Sequence, residues 1–231
     1  EGAAGKTGLE VMKGAESFRA TGDDYARSAE EKLAWIRCTY GFREDHQVIL
    51  NQVHGANVLH GSYGGRFEGF DAAVTSTRNL MLTIRVADCA AVLIWDARNG
   101  VIGALHAGWR GAVEGILPKT MDAMRELGAQ ARDMRVYVSP AISCERFEVG
   151  EEVACRFPER FVDRSIGERP HVDLKAFLQR ECEVAGVPGE QVEVDGCCSM
   201  TDTRCESYRR DGVDAGRMIA FLALRGDDGG S

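Results

Sequence analysis

Apolar positions along this chain change their period several times, and each change marks an element. Tyr25, Ala29, Leu33 and Ile36 recur at steps of four, four and three, the spacing of one helical face. Thr21-Gly22-Asp23-Asp24 gives this helix a start, with acidic residues for its first turn, and Tyr40-Gly41 gives it a stop. Between residues 47 and 107 the pattern becomes short apolar runs, at 48–50, 72–75, 80–86, 92–95 and 101–105, cut by Gly, Asn and Asp. These read as strands. Residues 61–69 hold four glycines and read as an exposed loop. Val113, Leu117, Met121, Met124 and Leu127 line a second helical face that stops at Gly128, with Pro118 suited to its first position. Residues 134–138, 192–194 and 218–224 read as strands, 151–157 and 173–185 as helices, and 226–231 as a frayed tail. Residues 1–21 carry no pattern beyond one short strand. Strands and helices interleave without βαβ alternation, and no repeat or linker divides the chain. The expectation is one domain over 1–231, an α/β layered sandwich with mixed β-sheets and flanking helices, not a Rossmann fold. Neither GxGxxG nor a Walker A motif occurs.

The candidate chemistry sits at the strand ends. The run at 90–95 and the run at 101–105 are joined by Asp96-Ala97-Arg98-Asn99-Gly100, whose Asn-Gly is a hairpin signal. A hairpin there sets Cys89, just before one strand, near His106, just after the other. Upstream, His54 follows the run 48–50 in Asn51-Gln52-Val53-His54-Gly55. Two imidazoles and a thiol suit zinc or copper, and three protein ligands leave the open fourth position of a catalytic zinc. Cys89 with His106 also suits a cysteine nucleophile and its base. Asp88 is either a base or orienting group, or a surface carboxylate at a strand end. Arg110, in a Gly-rich turn beside Trp109, is either an anion contact or a stacked surface arginine. Cys197, Cys198 and Cys205 lack C-x₂-C spacing, and adjacent strand residues point apart, so they read as buried thiols. His46 and His60 read as surface residues and His171 as structural.

Asn51-Gln52-Val53-His54-Gly55, then Ala87-Asp88-Cys89, then His106-Ala107-Gly108-Trp109-Arg110-Gly111 resembles the YfiH-like family. That family is also called the laccase-domain or polyphenol oxidoreductase family, and its members are regarded as purine nucleoside phosphorylases. The separations of 35 and 17 residues between His54, Cys89 and His106 fit it. So do Gly69-Phe70-Asp71-Ala72-Ala73-Val74-Thr75, Ser139-Pro140-Ala141-Ile142, Phe147-Glu148-Val149-Gly150 and Ser207-Tyr208-Arg209-Arg210-Asp211. The match spans residues 22–224. It departs at Ala15-Glu16-Ser17-Phe18, where the family has a Ser-Leu-Asn turn, and at Glu31-Lys32, where the family often has Asn-Arg.

The resemblance implies zinc held by His54, Cys89 and His106, with copper as the alternative. It implies phosphorolysis of adenosine, inosine or methylthioadenosine, together with adenosine deamination. Arg110, Arg209 and Gln52 become substrate contacts, the partners being a nucleoside and phosphate; Trp109, Phe147 and Tyr208 are the aromatic candidates for the base. Two other classes compete. A Cys-His hydrolase would not need His54, so His54→Ala separates it from a zinc enzyme. Copper oxidation of phenols is the family's older label and draws on many histidines, whereas this chain has five. A metal- or partner-binding module without turnover is the third alternative.

The charge balance of −8 over 231 residues argues against a broad footprint for nucleic acid or anionic membrane, though not against phosphate. No apolar run nears the roughly 18 residues of a membrane helix. No signal-peptide pattern is read at the first residues, and eight cysteines in a chain with so large a core read as reduced thiols. The expected location is the cytoplasm.

Overall fold

The computed structural model describes residues 10–16, for which the backbone alone is considered, and 28–225. The strands are β1 (Glu10–Glu16), β2 (Gln47–Asn51), β3 (Val58–His60), β4 (Gly65–Glu68), β5 (Ala72–Thr75), β6 (Met81–Val86), β7 (Ala90–Asp96), β8 (Val101–Ala107), β9 (Arg135–Val138), β10 (Val162–Asp163), β11 (His171–Val172), β12 (Val192–Val194) and β13 (Met218–Arg225). The helices are α1 (Ala29–Thr39), α2 (Trp109–Val113), α3 (Ile116–Glu126), α4 (Glu151–Ala154), α5 (Leu174–Val184) and α6 (Tyr208–Asp211).

Two mixed sheets stack. One runs β1-β13-β6-β2-β4, the other β12-β9-β7-β8-β5-β3, and β10 and β11 form a separate ribbon. In the first sheet β6, β2 and β4 are parallel, while β1, β13 and β6 alternate in direction. In the second, only the outer pairs β12/β9 and β3/β5 are parallel. Strand alternation assigns each residue to a layer. In β7, Ala91 and Leu93 pack between the sheets against Leu82, Ile84 and Leu222, whereas Ala90, Val92 and Ile94 pack outward against α3 and α5 through Met121, Met124 and Leu178. On the far side, Leu33 and Ile36 of α1 cover Met81, Ile219 and Phe221. The result is four layers, helix-sheet-sheet-helix, which is why β7 and β8 are apolar on both faces.

Several sequence expectations change in detail. Ser28 caps α1 in a reciprocal box with Glu31; the start expected at 21–24 lies outside the described residues, as do the frayed tail and the departure at Ser17-Phe18. Lys32, in the other departure, is buried in α1 and paired with Glu206 at 2.8 Å while donating to the Arg217 carbonyl at 3.0 Å. The expected loop at 61–69 contains β4, an edge strand paired to β2 alone. The β7–β8 connection is a four-residue loop, Ala97 to Gly100, in which Gly100 takes a left-handed conformation (φ 65°) and Asn99 does not. Asp96 caps it by accepting from the Asn99 N–H at 3.0 Å. Pro118 is the third residue of α3 and not its first, still within the first turn, where its missing N–H leaves no bond unmade. The helix expected over 151–157 stops at Ala154.

Candidate metal centre

The ends of β2, β6 and β8 and the starts of β5 and β7 meet at one edge of the two sheets. β8 pairs with β7 so that His106 lies opposite Ala91 and Ala107 opposite Ala90, which leaves Cys89 one residue beyond the ladder. Leu105 faces α3, so His106 faces the space between the sheets, where Cys89 also packs. His54 arrives from the turn after β2. The donor atoms of His54, Cys89 and His106 all lie within 4.8 Å of one another, and the two imidazoles meet edge to face with centroids 4.6 Å apart. His106 is buried, Cys89 half-buried and His54 exposed, so the cluster opens to solvent on the His54 side.

Asp71 builds this arrangement. Its fully buried carboxylate accepts the backbone N–H groups of Val53 at 3.1 Å, His54 at 2.9 Å and Gly55 at 2.8 Å, and lies 2.8 Å from His106 Nδ1. Three successive N–H groups converging on one anion form a nest, and they hold His54 at φ 60°, a left-handed conformation that non-glycine residues seldom take. Burial raises the Asp71 pKa, but the hydrogen bonds from His106 and the backbone outweigh it and leave the carboxyl below its ordinary range. The ionised Asp71 therefore accepts a hydrogen bond from the Nδ1–H and leaves His106 Nε2 for the cluster. Burial alone would push the Cys89 thiol up and the His106 imidazolium down. Hydrogen bonds reverse both: His106, with His54 adding to it, brings Cys89 down to about 7, and Asp71, with Cys89 adding to it, raises His106 to about 9. Cys89 is thus poised to lose its proton.

The donor set fits a metal. A tetrahedral zinc with nitrogen and sulfur ligands sets neighbouring donor atoms about 3.3–3.8 Å apart, and three donors already lie within 4.8 Å with a solvent side left over. Gly108 keeps the space clear, because a Cβ there would sit 3.0 Å from Cys89 Sγ and 3.1 Å from the His54 ring.

A cleft of about 590 Å³ covers the cluster. Arg85, Arg110, Arg209 and Arg217 line it, a local cationic wall in a chain of net charge −8. Trp109, Phe147 and Tyr208 line it too. The Arg110 guanidinium lies 4.9 Å from the Trp109 ring centroid and that of Arg209 5.8 Å from Phe147. Asp88 also lines the cleft, at φ 79°, but both its oxygens are taken. Ser199 donates its hydroxyl to one at 2.7 Å and the Arg209 N–H donates to the other at 2.6 Å. Asp88 thus fixes the start of α6. Gln52 exchanges two hydrogen bonds with the Arg85 backbone, at 2.8 and 2.9 Å, so its amide extends the β2–β6 pairing. Arg210 turns away from the cleft and clamps the carbonyls of Ser199, Met200, Asp202 and Cys205. His60 pairs with Glu126 and His171 lies against the Cys144 carbonyl. Asp71, Arg85 and Arg217 escaped the sequence reading. Asp71 stood in a recognised segment, but its four donors come from the distant His54 turn and from β8.

The profile of the multi-copper polyphenol oxidoreductase laccase family matches residues 12–225. A purine nucleoside phosphorylase of Deinococcus radiodurans is 40% identical over 204 residues, covering 87% of this chain and 79% of that protein. One from Mycobacterium tuberculosis is 34% identical over 207 residues, covering 87% and 81%. The crystal structure of YlmD from Geobacillus stearothermophilus superposes with a TM-score of 0.80 at 23% identity, over 94% of this chain and 90% of that one. The chain belongs to the YfiH-like, laccase-domain family, and its layered α/β fold is the family's. No described helix is long and apolar enough to cross a membrane.

Proposed function

We propose that this protein is a metal-dependent purine nucleoside phosphorylase acting on adenosine, inosine and methylthioadenosine, and that it also deaminates adenosine. The observation that carries this reading is the juxtaposition of a His54-Cys89-His106 donor set with an arginine-lined cleft in an acidic chain. The names of the relatives point the same way. His54, Cys89 and His106 would hold zinc, which supplies Lewis acidity at the cleft floor. Arg110, Arg209, Arg85 and Arg217 attract phosphate and offset its charge as it approaches the ribose. Phe147, Trp109 and Tyr208 give the purine flat apolar walls. Asp71 keeps the His106 ring oriented, and Asp88 and Gln52 act as positioning residues, for Arg209 and for the Arg85 segment. The chain's residues are taken to work in one domain.

The test is product analysis after incubation with adenosine, with and without phosphate. Phosphate-dependent adenine release supports phosphorolysis, and inosine formation supports deamination. A protein that forms neither product, and turns over neither inosine nor methylthioadenosine, refutes the proposal.

One specific feature favours a second reading. Cys89, His106 and Asp71 stand in the order nucleophile, base and orienting acid, with a lowered thiol pKa. A cysteine hydrolase built on these three retains turnover in His54→Ala, whereas a metal enzyme loses it.

A further inference from the structure

A second soft-donor cluster lies near the same end of β6, where Val86 lines both clefts. The adjacent cysteines do point apart, as their spacing suggests: Cys198 Sγ accepts the Ser143 N–H at 3.3 Å, while Cys197 turns to Cys205. The two sulfurs are 3.8 Å apart, Cys197 Sγ is 3.1 Å from Asp202 Oδ2, and the three donor atoms lie within 4.8 Å of one another. The backbone is fixed from several sides. The Cys197 N–H donates to Asp195 at 2.8 Å, the Cys205 N–H to the Asp202 carbonyl at 3.0 Å, and Arg210 donates to the Cys205 carbonyl at 2.8 Å. A separate cleft of about 280 Å³ opens onto the cluster beside Tyr137, Pro140 and Met218.

We propose that Cys197, Cys205 and Asp202 form a second metal site for a thiophilic d¹⁰ cation of the zinc class, with a fourth position on the cleft side. The spacing is the argument. Two thiolates bound to one tetrahedral zinc, each about 2.3 Å from it, lie about 3.8 Å apart, which is the separation here. A disulfide needs about 2.0 Å and would require the sulfurs to approach by a further ~1.8 Å. The charges also balance. Two thiolates and a carboxylate give −3, the divalent cation gives +2, and Arg204, 2.7 Å from Asp202, gives +1. On binding, two S–H bonds break, two metal–sulfur bonds and one metal–oxygen bond to Asp202 form in place of waters on the ion, and two protons pass to the buffer, with no change of oxidation state.

The site would stabilise the segment that serves the first cleft. Ser199, two residues after Cys197, donates to Asp88, and α6 with Arg209 begins three residues after Cys205. The ion would act as a clip on the arginine-bearing turn.

The experiment uses the full chain with Cys89→Ala, which removes the first site's thiolate. Reduced, chelator-stripped protein is titrated with zinc against a chromophoric chelator, and with cobalt while the near-ultraviolet sulfur-to-metal band is followed. The proposal expects one tight zinc equivalent and a thiolate band. Adding Cys197→Ser should abolish both, and adding Asp202→Asn should weaken zinc by about tenfold or more. Asp202 is partly exposed and its change leaves the core untouched, so this variant serves if the cysteine variant does not fold. Absence of tight zinc in Cys89→Ala overturns the proposal. So does a band that survives Cys197→Ser, or an affinity that Asp202→Asn leaves unchanged.

Discussion

Asp71→Asn tests how the candidate centre is built. Asparagine keeps the shape of the side chain but replaces one acceptor oxygen with an NH₂ group. In one orientation that NH₂ faces the N–H groups of Val53 and Gly55; in the other it faces His54 N–H and His106 Nδ1. Either way two buried donors lose their acceptor, at about 1–3 kcal/mol each, giving a loss of roughly 2–6 kcal/mol. The ring has one escape, a tautomer shift that lets Nδ1 accept from the amide, but Nε2 then carries the proton and cannot bind a metal. Metal affinity should therefore fall by about 10–100-fold as well. Urea unfolding of the metal-free variant at unchanged m-value gives the first quantity, and competition with a chromophoric chelator gives the second. A stability change under about 0.5 kcal/mol with wild-type affinity would refute the role assigned to Asp71.

Gly108→Ala should lower metal affinity by at least about tenfold with little loss of fold stability, since its Cβ would press on Cys89 Sγ and the His54 ring; the same chelator competition reads this. In metal-free protein, alkylation of Cys89 should show a midpoint near pH 7, from the lowered thiol pKa. A depressed acid pKa means the thiolate's contribution to stability is complete above pH 9 and is lost as pH falls towards 7; peptide mapping separates Cys89 from Cys198, also lowered to about 7. At acid pH, the stability tied to ionised Asp71 should be present above its ordinary value of 3.8 and disappear as pH drops through its lowered one, which urea midpoints against pH will show. Arg209→Ala should raise the KM for phosphate by about tenfold or more while leaving metal content unchanged, as steady-state kinetics and metal analysis on one preparation will reveal.

The parts of the fold that the sequence discloses are those where one physical signal acts alone. The apolar runs of β7 and β8 are buried on both faces, so their composition announces them, and the loop between them orders Cys89 and His106 along one sheet end. β4 is different. Gly65, Arg66, Phe67 and Glu68 have no apolar alternation, and they form a strand because the edge of β2 is there to pair with. The site divides similarly. His54, Cys89 and His106 stand beside turn signals and are legible. Asp71 is not, because its meaning lies in donors from the His54 turn and from β8 that only folding brings together. Asp88 and Gln52 were legible as site residues but not in their contacts, since Ser199, Arg209 and Arg85 approach them from elements remote in sequence. Cys197 and Cys205 lack C-x₂-C spacing and read as plain thiols; that the loop between them folds back and brings their sulfurs to 3.8 Å is not written in that spacing.

The central claim is that His54, Cys89 and His106 hold one metal ion on which turnover depends. Wild-type protein and His54→Ala, purified without added metal, should be assayed in parallel for bound metal by mass spectrometry and for phosphate-dependent adenine release from adenosine. The account predicts that the wild type holds metal and releases adenine, and that His54→Ala loses one metal equivalent and its turnover together. Full turnover in His54→Ala, with that metal equivalent gone, would contradict it.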